Sequence, residues 1–516
     1  MSENFSETDV LIRADEEFRK LPNVLNVRMG YEFKNGWITN TRALVVTVAQ
    51  PEAAAISPVF MGYPVQVSGP DFDDLLAATT GFTPEAARVT SIRYVPPTDV
   101  ELETVTAHMK VIAHVSPEKG WSNLHSFLEK TENTLTVGMF DFGAPHIQLA
   151  IEALADKSSF EKMVLAIQGG SSTGEGTKEN DLSDKDMIAE LSMNMGEKFE
   201  NAWVKIGRVN GWVASSYHIK VAVRDSNSIW LSSGNWQSSN QPDIEELGNP
   251  SQRFLLNTYN REWNIILGHG GIAKVYEAFI LNDYEHNRED FVPESAREEL
   301  FFLIPEEDVF IPEAARVMKQ FEEFSAEREF TVTPVLSPDN YFEEVLQLVK
   351  SAKQELLIQN QTFNAPGESH DKLRELMQAV LQKQEEGVNV KVIFRNFIPA
   401  VARKNIEALM DMGFDASFIK LHSKCHTKGI IVDGETVMIG SHNWSNDGVS
   451  VNRDASLIFY DKELAQYFRS VFFHDWDHLA RHDIGNDRMD IEMRSGRQPA
   501  PPGKIKISLA EVKAML

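Results

Sequence analysis

Cysteine is almost absent from this 516-residue sequence, in which Cys425 is the only one. No disulfide can form within the chain, which suits a reducing compartment. Long apolar runs are absent as well, because residues 43–48 and 429–432 are far shorter than the roughly 20 residues that cross a bilayer. Residues 1–19 lack the basic start and apolar core of a secretory signal. We therefore expect a cytoplasmic protein without an integral membrane segment.

Positive charge is also in short supply. Lys and Arg number 50 against 76 Asp and Glu, which gives a net charge of −26. Such an excess disfavours nonspecific adhesion to polyanions such as DNA or acidic membranes, although a local basic groove remains compatible with it. What the sequence does have is length, and at roughly 100–200 residues per domain it predicts several structural units.

The chain contains an internal duplication, which governs every later inference about fold and site. Three blocks align without gaps, at offsets of 221, 208 and 192 residues: 116–142 with 337–363, 217–237 with 425–445, and 260–286 with 452–478. The last two offsets differ by 208 − 192 = 16 residues, which places an insertion in the first copy at about residues 241–256. Its proline and glycine residues favour a loop.

Helical and strand patterns alternate within the second copy. Residues 341–353 have apolar positions at helical spacing, and residues 355–358 form a short run typical of a buried strand. Residues 371–386 and 388–394 repeat the order of helix and strand. This alternation predicts an α/β sheet covered by helices. Residues 26–50 instead predict a β-hairpin that turns at Asn35-Gly36.

These patterns divide the chain into five parts. We predict a separate β-containing N-terminal domain of unknown role over residues 1–105, a first repeat over 106–290, a linker over 291–328 with a short helix near 312–324, a second repeat over 329–484, and a polar C-terminal tail over 485–516 that ends in a small helix from Ser508.

Each repeat carries the motif His-x-Lys-x-x-x-x-Asp. The motif residues are His218, Lys220 and Asp225 in the first copy and His426, Lys428 and Asp433 in the second, and they are followed by Ser233-Gly-Asn235 and Ser441-His-Asn443. Each His-x-Lys triplet enters an apolar run suited to a strand, where residues two apart share a face. Imidazole, ammonium and a returning Asn amide would then converge, which is an arrangement that binds phosphate.

This pair of motifs resembles the phospholipase D superfamily, over roughly residues 108–480. The resemblance implies two α/β sandwich repeats that pack about a pseudo-twofold axis with their histidines facing one another. It also implies two-step transfer without a cofactor or metal, in which one His forms a phosphohistidine and the other acts as general acid and base. Family precedent makes His218 the nucleophile and His426 the acid and base, with Lys220, Lys428, Asn235 and Asn443 stabilising the charge on phosphate.

The family also places a carboxylate behind each histidine to orient its ring. Glu262 and Asp454 occupy equivalent places in the third repeat block. We therefore expect Glu262 to support His218 and Asp454 to support His426, although spacing from His218 alone would select Glu246. The resemblance gives Asp225 and Asp433 a role in supporting the motif rather than in catalysis, and Ser233 and Ser441 are taken as motif-supporting too.

Several other residues have competing interpretations. His422 shares a strand face with His426 and could touch the site, but a structural role is favoured. Strand alternation turns Cys425 away from His426, into the core. Trp236 and Trp444 would either frame a substrate or anchor a tight turn. The Gly-rich residues 169–178 lack the ending of a nucleotide-binding P-loop and predict a loop.

Three functions remain open. The first is hydrolysis or transfer at a phospholipid head-group diester, and the second is metal-independent cleavage of a nucleic-acid backbone by the same chemistry. Net acidity weakly favours the lipid, whereas the missing signal and anchor weakly favour an intracellular nuclease. The third is a catalytically silent phosphate-binding scaffold, which the two complete sets of His, Lys and Asn disfavour. We lean slightly to the lipid, and protein partners are not predicted.

Overall fold

The computed structural model describes the chain with several gaps. The described residues are 5–49, 56–71, 74–75, 91–168, 181–244, 258–289, 300–305, 320–367, 370–395, 398–485, 491–495, 501 and 504–508. Within them, no helix combines the length and the apolar character needed to cross a membrane. The Gly-rich residues 169–178 and most of the predicted insertion lie outside the described residues.

The N-terminal unit is a helix packed on a small sheet. Helix α1 begins where the Ser6 side chain accepts a hydrogen bond from Asp9 N and the Asp9 side chain accepts one from Ser6 N, a reciprocal cap. The predicted hairpin turns at Asn35 and Gly36, whose φ angles of 54° and 79° are left-handed. The strands lie in the order β1-β2-β4-β3. The elements are α1 (Glu7–Phe18), β1 (Val24–Lys34), β2 (Trp37–Val48), β3 (Val59–Phe60) and β4 (Tyr63–Ser68).

The first repeat supplies one half of a large sheet. Its long first strand is β5 (Val105–Ser116), and from it the order is β5-β11-β10-β9-β6-β7-β8. The remaining strands are β6 (Thr134–Met139), β7 (Lys162–Gln168), β8 (Phe199–Val204), β9 (Lys220–Arg224), β10 (Ser228–Ser232) and β11 (Glu262–Gly268). The helices are α2 (Gly120–Glu129), α3 (Pro145–Glu152), α4 (Asp184–Met195) and α5 (Gly270–Glu285).

The second repeat has the same order of strands. Its long strand β13 (Phe324–Ser337) pairs antiparallel with β5, and the order away from it is β13-β19-β18-β17-β14-β15-β16. The remaining strands are β14 (Glu355–Asn360), β15 (Asn389–Phe394), β16 (Ile419–Leu421), β17 (Lys428–Val432), β18 (Thr436–Gly440) and β19 (Asp454–Phe459). The helices are α6 (Tyr341–Ser351), α7 (Asp371–Glu385), α8 (Pro399–Asp411) and α9 (Lys462–His478). The predicted α/β class is confirmed.

The two halves of the sheet face each other across one shared core. Buried side chains from both repeats, among them Trp263 and Leu457, form a single hydrophobic cluster. Trp263 covers Gly429 so closely that a Cβ there would lie 2.3 Å from its ring. The repeat alignment pairs Trp263 with Ala455 and Gly429 with Val221. At the equivalent pair of positions, the larger side chain is therefore that of Val221, on the motif strand. Burial on this scale contributes roughly 25 cal/mol for each Å² of apolar surface.

The linker and the C-terminal tail contain strands. Strand β12 (Leu300–Pro305) lies between β20 (Glu492–Ser495) and β21 (Lys504–Ser508) in a separate sheet. The predicted polar tail therefore contains strands that its composition did not indicate, and Lys504-Ile-Lys-Ile507 alternates with the period of a strand. Most of the helix predicted near residues 312–324 and the helix predicted from Ser508 fall outside the described residues.

The N-terminal unit docks on α8 of the second repeat. Arg28 pairs with Glu407, and the Arg403 guanidinium donates to the Tyr31 carbonyl at 3.1 Å. The Tyr31 hydroxyl donates to Asp411 at 2.9 Å. These polar contacts fix the unit at a face of the second repeat.

Candidate active site

Both histidines lie just before short strands that are almost fully buried. Lys220 and Lys428 begin β9 and β17 and are 0% exposed, whereas His218 and His426 keep 5% and 7% exposure. Each ring therefore retains a small accessible edge while the lysine behind it is enclosed.

The backbone leading to each histidine pairs with the other repeat. His218 N donates to the Arg453 carbonyl at 2.7 Å, and His426 N donates to the Arg261 carbonyl at 3.2 Å. Glu262 and Asp454 directly follow these two arginines. Each carboxylate is thereby carried to the histidine of the opposite repeat.

The side chains complete this exchange. Nδ1 of His218 lies 2.8 Å from Asp454 Oδ1, and Nδ1 of His426 lies 2.7 Å from Glu262 Oε1. The expected pairing of Glu262 with His218 and of Asp454 with His426 is wrong. The repeat alignment identifies equivalent residues, but it does not say which half delivers each one to the interface. Glu246, the alternative from spacing, lies outside the described residues.

Two buried arginines hold the exchanged segments in place. Arg261 donates to Glu118 of its own repeat at 2.6 Å and to Asp475 of the other repeat at 3.0 Å. Its counterpart has the same kind of pairing: Arg453 donates to Asp339 at 2.9 Å and to Asp283 of the first repeat at 3.0 Å. Removing one partner of such a buried pair costs about 3–5 kcal/mol, because the other charge is left uncompensated.

Ser233 and Ser441 orient the two carboxylates in the same manner. Ser233 Oγ donates to Glu262 Oε2 at 2.6 Å and accepts from Trp263 N at 3.0 Å. Ser441 Oγ donates to Asp454 Oδ1 at 2.7 Å and accepts from Ala455 N at 3.0 Å. Both hydroxyls are therefore fixed donors behind the histidine–carboxylate pairs.

Asp225 and Asp433 bind backbone rather than lining the histidines. The Asp225 carboxylate accepts from the amides of residues 132–134, and the Asp433 carboxylate accepts from the amides of residues 353–355. Both residues have left-handed φ angles, 52° and 53°. Each carboxylate ties the turn after its motif strand to the start of the neighbouring strand, β6 or β14.

The lysine and asparagine side chains add donors beside the rings. Lys220 Nζ donates to the His218 carbonyl at 2.6 Å, and Lys428 Nζ donates to the carbonyls of His426 at 2.8 Å and Ser233 at 3.1 Å. Asn235 and Asn443 are each 5% exposed, and within the described residues neither has a hydrogen-bond partner for its buried Oδ1.

Burial sets the charge state of the site. It lowers the pKa of His218 to about 3, with Lys220 acting in the same direction and Asp454 opposing. It also lowers the pKa of His426 well below its usual value, helped by Lys428 and Arg395. Both imidazoles are accordingly neutral near pH 7 before an anion binds.

The two carboxyl groups respond differently to the same burial. Burial raises the pKa of Glu262, against the opposing charge of Lys428. Burial also raises that of Asp454, but His218 and its hydrogen bond outweigh it, so the pKa of Asp454 is lowered. Burial lowers the pKa of Lys428 to about 8. The same burial therefore acts on the two carboxyl groups in opposite net directions, because the contact with His218 offsets it only at Asp454.

Two neighbours of the histidines escaped the sequence analysis. The Phe140 ring meets His218 edge-on at 5.0 Å between centroids, and Lys220 Nζ lies 5.0 Å from the same ring centroid. Asn240 Nδ2 lies 3.3 Å from His426 Nδ1. Neither residue is repeated, because residues 361 and 448 of the second copy are Gln and Gly. A search for duplicated motifs therefore has no signal for them.

The remaining candidates are structural. Trp236 and Trp444 are 0% exposed. The Trp236 ring meets Phe142 edge-on, and the Trp444 ring stacks face to face on Phe363. Cys425 lies in the core shared by the two repeats. His422 is buried, and burial lowers its pKa to about 4.

The chain is similar to known proteins over parts of its length. Residues 345–476 match the family model described as cardiolipin synthase, PLD-like domain. Mitochondrial cardiolipin hydrolase of Xenopus tropicalis is 28% identical over 217 residues, which cover 42% of this chain and 89% of the relative. Cardiolipin synthase 2 of Staphylococcus epidermidis is 25% identical over 152 residues, 27% of this chain and 28% of the relative. The crystal structure of phosphatidylserine synthase from Haemophilus influenzae Rd KW20 is 13% identical with a TM-score of 0.49, covering 72% of this chain and 88% of that one.

Two His-x-Lys motifs, each completed by a carboxylate from the opposite repeat, form the candidate active site of a phosphodiesterase built from two repeats. The matched family model covers the second of these motifs, at residues 426–433. The chain belongs to the phospholipase D superfamily.

Proposed function

We propose that this phosphodiesterase hydrolyses or transfers the head-group diester of a phospholipid through a phosphohistidine on His218. The observation that carries the proposal is the exchange of carboxylates, in which each buried histidine contacts the carboxylate of the opposite repeat. One ring then serves as nucleophile and the other as acid and base.

The hydrogen bonds of His218 favour it as the nucleophile. Its Nδ1 faces two acceptors, Asp454 Oδ1 at 2.8 Å and the Ser441 carbonyl at 3.0 Å. Nδ1 therefore carries the ring proton, and Nε2 keeps its lone pair for attack on phosphorus. This argument from geometry supports the order that family precedent gives.

The reaction has two steps. In the first, His218 Nε2 bonds to phosphorus while the bond to the leaving oxygen breaks, and His426 protonates that oxygen. In the second, His426 takes a proton from water or from an acceptor alcohol, whose oxygen displaces His218. Lys220, Lys428, Asn235 and Asn443 stabilise the charge on the non-bridging oxygens. These donors supply the charge stabilisation for which other phosphodiesterases use a metal ion.

The names of the relatives support a lipid substrate, since cardiolipin hydrolase and cardiolipin synthase both act on a phospholipid diester. The net charge of −26 agrees, because it disfavours binding to a nucleic-acid backbone. The cytoplasmic location expected from the sequence stays a prediction, while the frog relative has a mitochondrial name.

A direct assay tests the substrate class. Purified protein would be incubated in excess EDTA with phosphatidylglycerol or cardiolipin vesicles and, separately, with plasmid and single-stranded DNA. The proposal predicts release of the lipid head group by the wild type and none by His218→Ala. DNA cleavage that His218→Ala abolishes, with both lipids untouched, would assign the same chemistry to a nuclease. No reaction on any substrate by well-folded protein would leave a phosphate-binding scaffold.

A further inference from the structure

Arg453 connects the second repeat to the backbone around His218. Its carbonyl accepts a hydrogen bond from His218 N at 2.7 Å, and its own N–H donates to the Ser216 carbonyl at 3.0 Å. Asp454, which directly follows Arg453, contacts Nδ1 of His218. The position of Arg453 therefore decides where Asp454 meets His218.

A residue from outside both repeats covers the buried Arg453 guanidinium. Tyr94 belongs to residues 91–95, which lie between the N-terminal sheet and β5. Its ring centroid lies 4.3 Å from Arg453 Cζ, and its hydroxyl donates to Asp339 at 2.8 Å. Arg453 donates to the same carboxylate at 2.9 Å. The aromatic face and the shared carboxylate thus hold the guanidinium from two sides.

A loop of the first repeat anchors the segment that carries Tyr94. Between the preceding strand and the aligned residues 217 and 425, the first repeat has residues 205–216 and the second only residues 422–424. Two backbone hydrogen bonds join the longer loop to the segment, from Asn210 N to Ser91 O at 2.9 Å and from Arg93 N to Gly211 O at 2.7 Å. The segment is therefore fixed by a loop that distinguishes the first repeat from the second.

The other buried arginine has a different cover. The ring centroid of Phe321 lies 6.0 Å from Arg261 Cζ. Arg261 binds Glu118, which is aligned with Asp339, but a phenylalanine has no hydroxyl to bind that carboxylate. The two arginines are thus held differently, and the tyrosine belongs to the half of the site with the proposed nucleophile.

We propose that Tyr94 is a positioning residue for His218, which fixes Arg453 and thereby the contact between Asp454 and Nδ1 of His218. The inference rests on the proposed function and deepens it, because it gives residues 91–95 a part in forming the phosphohistidine. The effect of Tyr94 on the ring is transmitted through Arg453, whose backbone binds His218 and whose side chain binds Asp339.

A leaving group that needs no proton isolates the step in which His218 attacks. Release of 4-nitrophenolate from dihexanoylphosphatidyl-4-nitrophenol reports phosphohistidine formation, since nitrophenolate leaves without an acid. In Tyr94→Leu, which loses both the ring and the hydroxyl, we expect the first turnover to slow by about tenfold to a hundredfold. Tyr94→Phe keeps the ring over Arg453 and loses only the hydroxyl, so it should slow the first turnover by about threefold to tenfold.

Tyr31 provides a matched control, because it makes the same two kinds of contact where the N-terminal unit docks on α8. Its ring centroid lies 4.6 Å from Arg42 Cζ, and its hydroxyl donates to Asp411 at 2.9 Å. Tyr31→Leu should leave the first turnover within about twofold of the wild type. Equal slowing by Tyr31→Leu and Tyr94→Leu would overturn the assignment, because it would trace the effect to docking of the whole N-terminal unit.

A double-mutant cycle tests whether Tyr94 acts through Asp454. In an Asp454→Asn background, Tyr94→Leu should slow the first turnover by less than about threefold further, since the contact that Tyr94 positions is already lost. If Tyr94→Leu does not fold, Tyr94→Phe replaces it in the same cycle and should add no measurable loss. Additive defects, or wild-type rates in folded Tyr94 variants, would overturn the inference.

The wild-type result separates this inference from the proposed function. If the wild type releases no nitrophenolate from the lipid, the lipid assignment fails, and the same variants are compared on thymidine 5′-(4-nitrophenyl phosphate). Selective slowing by the Tyr94 variants on that diester supports the role of Tyr94 whichever substrate class is correct. A diester that the wild type cleaves and that both Tyr94 variants cleave equally fast overturns it.

Discussion

Nδ1 of His218 donates a hydrogen bond to Asp454 Oδ1 at 2.8 Å, across the boundary between two repeats whose motifs are 208 residues apart in sequence. The counterpart contact joins His426 to Glu262 in the opposite direction. Neither repeat therefore contains a complete histidine–carboxylate pair. An isolated half of this chain would hold its histidine without the group that orients it.

The exchange predicts different defects for two conservative variants. Two substrates separate the steps: dihexanoylphosphatidylglycerol, whose glycerol needs a proton as it leaves, and dihexanoylphosphatidyl-4-nitrophenol, whose nitrophenolate does not. Asp454→Asn removes the acceptor of the nucleophile His218, so it should slow phosphohistidine formation with both diesters. Glu262→Gln removes the carboxylate that orients the ring of the general acid His426, so it should slow release of glycerol far more than release of 4-nitrophenolate. Each loss should be about 10²-fold or more. Quenched-flow measurement of the first turnover distinguishes the two defects. The reverse pattern would show that Glu262 supports His218 and that Asp454 supports His426.

The Arg453 network should contribute to folding rather than to chemistry alone. Arg453 is fully buried between Asp283 and Asp339, so Arg453→Met should lower the free energy of unfolding by about 3–5 kcal/mol. Urea unfolding measures this loss. The exposed pair of Arg19 and Asp15 is the control, since Arg19→Ala should change stability by less than about 1 kcal/mol. A similarly small change for Arg453→Met would show that the network is not needed to join the repeats.

Stability should fall as the pH drops below 6.5. Burial lowers the pKa of His114 from 6.5 to about 3, so between these values the unfolded state binds a proton that the folded state does not. The linkage slope is about 1.4 kcal/mol for each pH unit, with stability rising as pH rises. In His114→Leu the free energy of unfolding should depend less steeply on pH between 4 and 6. An unchanged slope would mean that His114 is protonated in the folded protein.

Much of the site could be predicted because its residues occur in both copies of an internal duplication. His218 and His426 share a motif, and Glu262 and Asp454 share an aligned block, so the duplication identifies the candidates. The pairing could not be predicted, since an alignment of repeats contains no information on which half crosses the interface. Only the backbone bonds to Arg261 and Arg453 decide that.

Asn240 could not be predicted from the duplication, because the second copy has no equivalent side chain. The aligned residue in the second copy is Gly448, so repetition argues against a role at position 240. Its contact with His426 depends on the chain turning back after Asn235, where hydrogen bonds link Asn240 N to Gln237 O and Asn260 N to Ser239 O. The strands at residues 492–495 and 504–508 were missed for another reason, because each is too short for its pattern to stand out from a polar tail.

The proposed mechanism depends on a phosphohistidine on His218, and trapping this intermediate is the most direct test. His426→Asn would be mixed with dihexanoylphosphatidyl-4-nitrophenol in excess EDTA, quenched under mildly basic conditions that preserve the acid-labile adduct, and analysed by intact mass and peptide mapping. We predict one phosphatidyl group per chain, located on His218, and no adduct in His218→Ala. An adduct on His426 in His218→Ala would reverse the roles of the two histidines. Activity of the wild type that EDTA abolishes and a divalent ion restores, with no adduct in either variant, would contradict the mechanism.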